Sequence, residues 1–141
     1  MIIAATGGNM WASLVVVFGA LIIVWGGTYL FQRWQMHHYA TVIDEDQFAR
    51  GIHKAQVVDV RQDNDFRKGH ILGARNIPYA YLTQQYSELR KDMPVYLYDA
   101  GTTAVIQAAR VLYKHGYRDL YILAGGYLEW HGKTKKDKYA D

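Results

Sequence analysis

Asp99 stands where a buried apolar strand gives way to a loop of small residues, in the stretch Val95-Tyr96-Leu97-Tyr98-Asp99-Ala100-Gly101-Thr102-Thr103-Ala104. A carboxylate at a strand end can accept a phosphoryl group, as in an Asp99-based phosphatase. That chemistry wants a second aspartate two residues on as general acid, and Gly101 stands there instead. It also wants further carboxylates around Mg²⁺. The chain has no cysteine, which removes thiolate nucleophiles, disulfides and thiolate metal sites from consideration. His70 and the pair Asp59 and Arg61 are the other side chains with chemical capacity. Structural roles fit them better: His70 ordering a turn by hydrogen bonds, Asp59 and Arg61 forming an ion pair that fixes a strand end near the loop. His37-His38 offers imidazoles, but neighbouring residues point different ways on a helix and no acid lies nearby. No metal and no cofactor is expected.

The elements that must hold these residues follow an alternating pattern. Acids at Asp44-Glu45-Asp46 open a helix, favoured by its N-terminal dipole, and Gly51 ends it. Gln56 to Val60 is a β-branched run and predicts a buried strand. A short helix over 63–68 closes at Gly69, and a short strand over 74–77 ends at Pro78. The span 79–90 reads as a helix with Leu82, Tyr86 and Leu89 on its apolar side, and 94–98 as another buried strand. The helix over 103–115 is the clearest, with Ala104, Ala108, Val111 and Leu112 on one face and Gly116 as its cap. A strand over 120–123, a turn at Gly125-Gly126 and a last helical turn over 127–131 complete the pattern. Strands alternating with helices predict an α/β fold, a parallel sheet flanked by helices.

Two blocks of this pattern resemble the rhodanese homology domain. One is Val57-Val58-Asp59-Val60-Arg61, Phe66, then Gly69-His70-Ile71-Leu72-Gly73-Ala74-Arg75-Asn76-Ile77-Pro78. The other is Val95 to Tyr98, Lys114-His115-Gly116-Tyr117, then Leu120-Tyr121-Ile122-Leu123-Ala124-Gly125-Gly126 and Trp130. Together they cover residues 41 to 131. The resemblance implies a loop between the central strand and a helix whose backbone N–H groups cradle an anion, as helix N-termini do. It also implies a persulfide-forming cysteine opening that loop, in a pattern close to Cys-x-x-Gly-x-Arg-Ser. Counted back without gaps from Gly116-Tyr117, Asp99 falls on the cysteine, Thr102 on the glycine and Ala104 on the arginine. The loop Asp99, Ala100, Gly101, Thr102, Thr103, Ala104 is therefore degenerate, while Asp59, Arg61, Gly69 and His70 remain as scaffold.

A carboxylate cannot carry sulfane sulfur, so the resemblance implies a domain without sulfurtransferase activity. A sulfurtransferase-related enzyme using an outside thiol is the competing reading. Asp99 is then an internal substitute for the bound anion, its charged form favoured by N–H groups, or simply a solvated loop residue.

Residues 1–32 carry no charged side chain. The run from Met10 to Phe31, as a helix, extends about 33 Å, enough for a hydrocarbon core of about 30 Å. Trp11 lies near one end and Tyr29 and Trp34 near the other, where membrane interfaces suit them. No basic residue precedes the run, which argues against a cleaved signal peptide. Arg33 follows it, so the positive-inside rule places the N-terminus outside and the domain in the cytoplasm.

The resulting division is an extracytoplasmic segment 1–9, a transmembrane helix 10–31, a connector 32–40, a rhodanese-like domain 41–131 and a basic tail 132–141. Residues 40–131 hold 11 Lys+Arg and 11 Asp+Glu, so the net charge of +3 comes from Arg33 and a tail with four Lys and two Asp. A neutral domain with basic ends argues against nucleic-acid binding. The tail reads as a solvated segment able to lie against an anionic leaflet, at about 1 kcal/mol per lysine. The expected partners are the lipid bilayer and either a protein or a small anion, which makes the domain a binding module at the inner membrane face.

Overall fold

In the strand over Gln56–Asp59 (β2), alternate residues point to opposite sides, and both sides are buried: Val58 and Val60 enter one apolar cluster, Val57 the other. The same split recurs in Val95–Tyr98 (β5) at Leu97 and Tyr98, and in Leu120–Leu123 (β6) at Ile122 and Leu123. Strands buried on both faces belong in a parallel sheet with cover on each side. The computed structural model, which describes residues 9–138, has this architecture. Thr41–Ile43 (β1), β6, β5, β2 and Arg75–Asn76 (β4) lie side by side in that order, all parallel. β1 is too short to announce itself in the sequence and is held by register with Tyr121 to Leu123.

The chain divides between Trp34 and Gln35 into two units. The first is most of one helix, Met10–Tyr39 (α1), long and apolar enough to cross a membrane by length and composition. The expected connector 32–40 is helical as far as Tyr39, because Gln32 to Tyr39 contains neither Pro nor Gly to stop it.

In the second unit, Glu45–Gly51 (α2) starts with a capping box: Asp44 accepts from the Gln47 N–H at 2.7 Å, and the Gln47 side chain accepts from the Asp44 N–H. Phe48 on this helix is fully buried and packs on the rings of Tyr96 and Trp130. Thr103–Lys114 (α5) covers the other sheet face with Val105, Ala108, Ala109 and Leu112, and Gly116 at φ +96° turns the chain out of it. The span 79–90 is not one helix. It breaks into a turn at 79–81, Leu82–Gln85 (α4) and a second turn at 86–88, where the Tyr117 hydroxyl lies against the carbonyls of Tyr86 and Leu89. The last helical turn is shorter than expected, 127–129.

The segment read as a solvated tail is structured over its described part. Thr134–Lys135 (β7) pairs antiparallel with His70–Ile71 (β3), which follows the helix Asp63–Lys68 (α3). The Asp137 N–H also donates to the Arg67 carbonyl. The unpaired edge of β3 supplies the hydrogen bonds that lysine-rich sequence does not advertise.

Just before this strap, the His131 N–H and ring pair with the carboxylate of Glu45. Those side-chain and backbone hydrogen bonds hold the Glu45 pKa below its ordinary value of 4.5. A folded-state pKa below the unfolded one gives stability that is present above the unfolded value and is lost as pH falls through the folded one. Glu45→Gln is therefore expected to flatten the decline of the unfolding midpoint below about pH 4.5. Denaturation series across that range check this, and parallel curves for the two proteins would refute it.

Candidate functional site

Parallel strands put the loops at their carboxyl ends on one edge of the sheet. There a cleft of about 420 Å³ is lined by Arg61, Gln62, Asp65, Tyr79, Asp99 and Ala104, among others. The sequence-predicted loop 99–104 forms one wall of it through Asp99, Ala100 and Ala104.

The loop is set by the turn after β6. Tyr127 N–H donates to the Asp99 carbonyl at 2.8 Å and Leu128 N–H to the Ala100 carbonyl at 3.3 Å. A Cβ placed on Gly126 would lie 2.5, 2.6 and 2.6 Å from the carbonyl oxygens of Ala100, Asp99 and Gly101. Three consecutive carbonyls thus converge on Gly126. The peptides are trans, so each following N–H, of Ala100, Gly101 and Thr102, points the opposite way. Among the described residues no protein group accepts from these three N–H groups. They are three successive donors without an acceptor, on the side of the loop turned away from Gly126, and unpaired backbone N–H groups in succession are the material of anion sites. Asp99 takes none of the three. Its half-buried carboxylate accepts only the Ala104 N–H, at 3.3 Å, capping the start of α5.

Behind the loop lies the clamp expected of Asp59 and Arg61. Asp59 is fully buried and the Arg61 side chain is 9% exposed. The Arg61 Nη2 sits 2.7 Å from Asp59 Oδ2 and donates to the Gly69 carbonyl at 2.6 Å. Its guanidinium centre is 4.2 Å from the Tyr127 ring. Burial works to lower the Arg61 pKa, but the hydrogen bonds and charge of Asp59 outweigh it and the net shift is upward. Arg61 is a permanent cation committed to structure. His70 is buried, stacks on Phe66 at 3.7 Å, and donates from Nδ1 to the Phe66 carbonyl at 2.8 Å, ordering the turn after α3.

Tyr98 is the member that sequence reasoning missed. It is fully buried, accepts the Ile71 N–H at 3.0 Å and turns its hydroxyl to Asp59. Burial, then the charge of Asp59, push its ionisation far above the ordinary tyrosine range. The signal was available: a tyrosine in a strand buried on both faces needs a partner for its hydroxyl. Asn76 closes the network by donating to the carbonyls of Asp59 and Arg61.

Asp65 is the one other carboxylate lining the cleft, and among the described residues no three His, Asp or Glu side chains gather. The carboxylate set of an Asp99-based phosphatase is not assembled here. His38 packs on the rings of Tyr39 and Tyr113.

A parallel sheet in the order β1-β6-β5-β2-β4, flanked by helices, with the loop after its central strand lining a cleft, is the rhodanese-like arrangement. The chain belongs to the rhodanese-like family: the family's domain model matches residues 44–133. It is 42% identical over 125 residues, 89% of this chain and 96% of the other, to the uncharacterized protein YqhL of Bacillus subtilis. It is 34% identical over 76 residues to the thiosulfate sulfurtransferase GlpE of Shewanella oneidensis, covering 54% of this chain and 75% of that one. The crystal structure of the Alr3790 protein from Anabaena sp. superposes with a TM-score of 0.64 at 27% identity, covering 68% of this chain and 83% of that one.

Proposed function

We propose that this chain is a membrane-anchored rhodanese-like domain without sulfur-transfer activity, serving as a binding module at the inner membrane face. Its ligand is a small anion, or an anionic group on a protein partner, held by the loop N–H groups. The observation that carries this reading is the loop itself. Three successive loop N–H groups have no acceptor among the described residues, while the chain has no cysteine to load with sulfur. A sulfurtransferase forms a persulfide on a thiolate and passes the sulfane sulfur to an acceptor. Asp99 offers a carboxylate at that point, and Ala104 brings no positive charge to the wall.

The test is a thiosulfate:cyanide sulfur-transfer assay on the full chain in mild detergent. No turnover above buffer is expected. Asp99→Cys alone is expected to restore little, because the loop lacks the basic residue beside the sulfur. Turnover by the wild-type chain that survives removal of contaminants would overturn the reading. In the same preparation, sulfate should perturb the amide resonances of Ala100, Gly101 and Thr102 before any others, and uniform or absent shifts would remove the cradle.

A further inference from the structure

A second concavity of about 420 Å³ shares no lining residue with the loop cleft. Ala49, Ile52, Leu72 and Trp130 line it, together with His53 and Lys133. It is an apolar groove open to solvent, with Leu72 46% exposed. Monomeric domains keep such patches small unless something covers them.

The groove runs into the lysine-bearing segment that begins at Lys133. The Lys133 carbonyl accepts from the Leu72 N–H at 3.0 Å and from the Trp130 Nε1 at 3.3 Å. Lys133 is thereby fixed beside both apolar residues. The chain then runs as β7 along β3, and the Asp137 N–H binds the Arg67 carbonyl. Lys133, Lys135 and Lys136 are all exposed on this tethered segment, with Lys68 exposed at the end of α3 next to it, while Arg67 there is paired with Asp63 and with Asp137. Because residues 40–131 are charge-balanced, the excess positive charge of the domain is gathered here. An amphipathic indole and an exposed leucine beside a row of lysines is the side-chain set of a membrane–water interface. Apolar parts enter the headgroup layer there and ammonium groups stay at the phosphates.

We propose that the groove and the strap 133–136 form a docking face for an anionic phospholipid surface. The proposal deepens the membrane-anchored reading and rests on it. Charge complementarity selects the anionic surface, and the apolar groove selects lipid over nucleic acid, whose contacts are mainly with phosphate. Each lysine near an anionic leaflet contributes on the order of fivefold to the docked population. Docking would fix the face of the domain that meets the bilayer.

The absence of native cysteine makes the test clean. The full chain receives a single cysteine as Thr134→Cys, on β7, carrying an environment-sensitive fluorophore. A control carries the same label at Ser87→Cys, in a segment that packs on the opposite face of the sheet. Both are reconstituted in phosphatidylcholine vesicles or in an equimolar mixture with phosphatidylglycerol, with a headgroup-level quenching lipid.

Quenching at position 134 should rise several-fold in the anionic vesicles, collapse at high salt, and disappear in the triple variant Lys133→Gln, Lys135→Gln, Lys136→Gln. Leu72→Asp should weaken it with all lysines intact. The control position should not respond. Equal quenching at 134 in the two vesicle types, or an equal rise at position 87, overturns the proposal. A response to duplex DNA in neutral vesicles overturns it in favour of nucleic acid. Salt-resistant flotation of the chain with pure phosphatidylcholine vesicles reports separately on the anchor. A chain that floats without the quenching response loses the docking face and keeps its membrane anchor.

Discussion

Asp59→Ala is expected to destabilise the domain by about 3–5 kcal/mol, a large part of what a small domain has. The cost does not come from a lost attraction alone. Asp59 accepts both the Arg61 N–H and the Arg61 guanidinium, and faces the Tyr98 hydroxyl. Removing it leaves a cation with a 9% exposed side chain without its counter-charge. Asp59→Asn keeps one acceptor but drops the charge, so its loss should fall roughly midway. The informative variant is the pair Asp59→Leu with Arg61→Met. Replacing both buried ions by apolar groups is often close to neutral, so the double variant should recover most of the stability lost by Asp59→Ala. Urea unfolding of the full chain in mild detergent measures all four proteins. A loss under 1 kcal/mol for Asp59→Ala, or a double variant no better than the single, would show that the clamp does not hold the domain together.

The clamp also shows what a sequence makes legible. Asp59 and Arg61 lie two residues apart at the end of a β-branched run, so their pairing is a local inference. The Gly69 carbonyl, the Tyr98 hydroxyl and the Tyr127 ring that complete the site come from distant stretches of chain, and no periodicity encodes that meeting. The same division holds for the elements. β2, β5, β6 and α5 carry long apolar signals of clear period. β1 and β7 do not, because each exists only by pairing with another strand. The span 79–90 misled because Leu82, Tyr86 and Leu89 fit a helical period, while the Tyr117 hydroxyl, 2.7 and 2.6 Å from the carbonyl oxygens of Tyr86 and Leu89, holds the backbone aside. In the loop, the strand pattern put Asp99 just past the end of β5, where it lies, but not the orientation of the peptides around it. That orientation is decided by a residue on another loop.

That residue is Gly126, and Gly126→Ala is expected to cost about 3 kcal/mol or more. Two independent causes add. Its φ of +65° with ψ of −165° lies in a region that only glycine populates readily. Its missing Cβ is the space into which three carbonyl oxygens of the loop point, at 2.5–2.6 Å, and these are backbone atoms that cannot rotate away. The loop would have to retreat, breaking the bonds from Tyr127 N–H to Asp99 and from Leu128 N–H to Ala100. Peptides released from that side lose the constraint that holds their N–H groups away from Gly126, so sulfate-dependent shifts of the Ala100 to Thr102 amides should vanish along with the stability. Gly101→Ala is the control. It sits in the same loop, its φ is not positive, and a Cβ there meets nothing within 4 Å. It should stay within about 0.5 kcal/mol of the wild type. Urea unfolding and amide spectra of the two variants decide the matter. A Gly126→Ala protein as stable as Gly101→Ala, with sulfate response intact, would mean that the loop holds its own conformation and that the turn after β6 only rests against it.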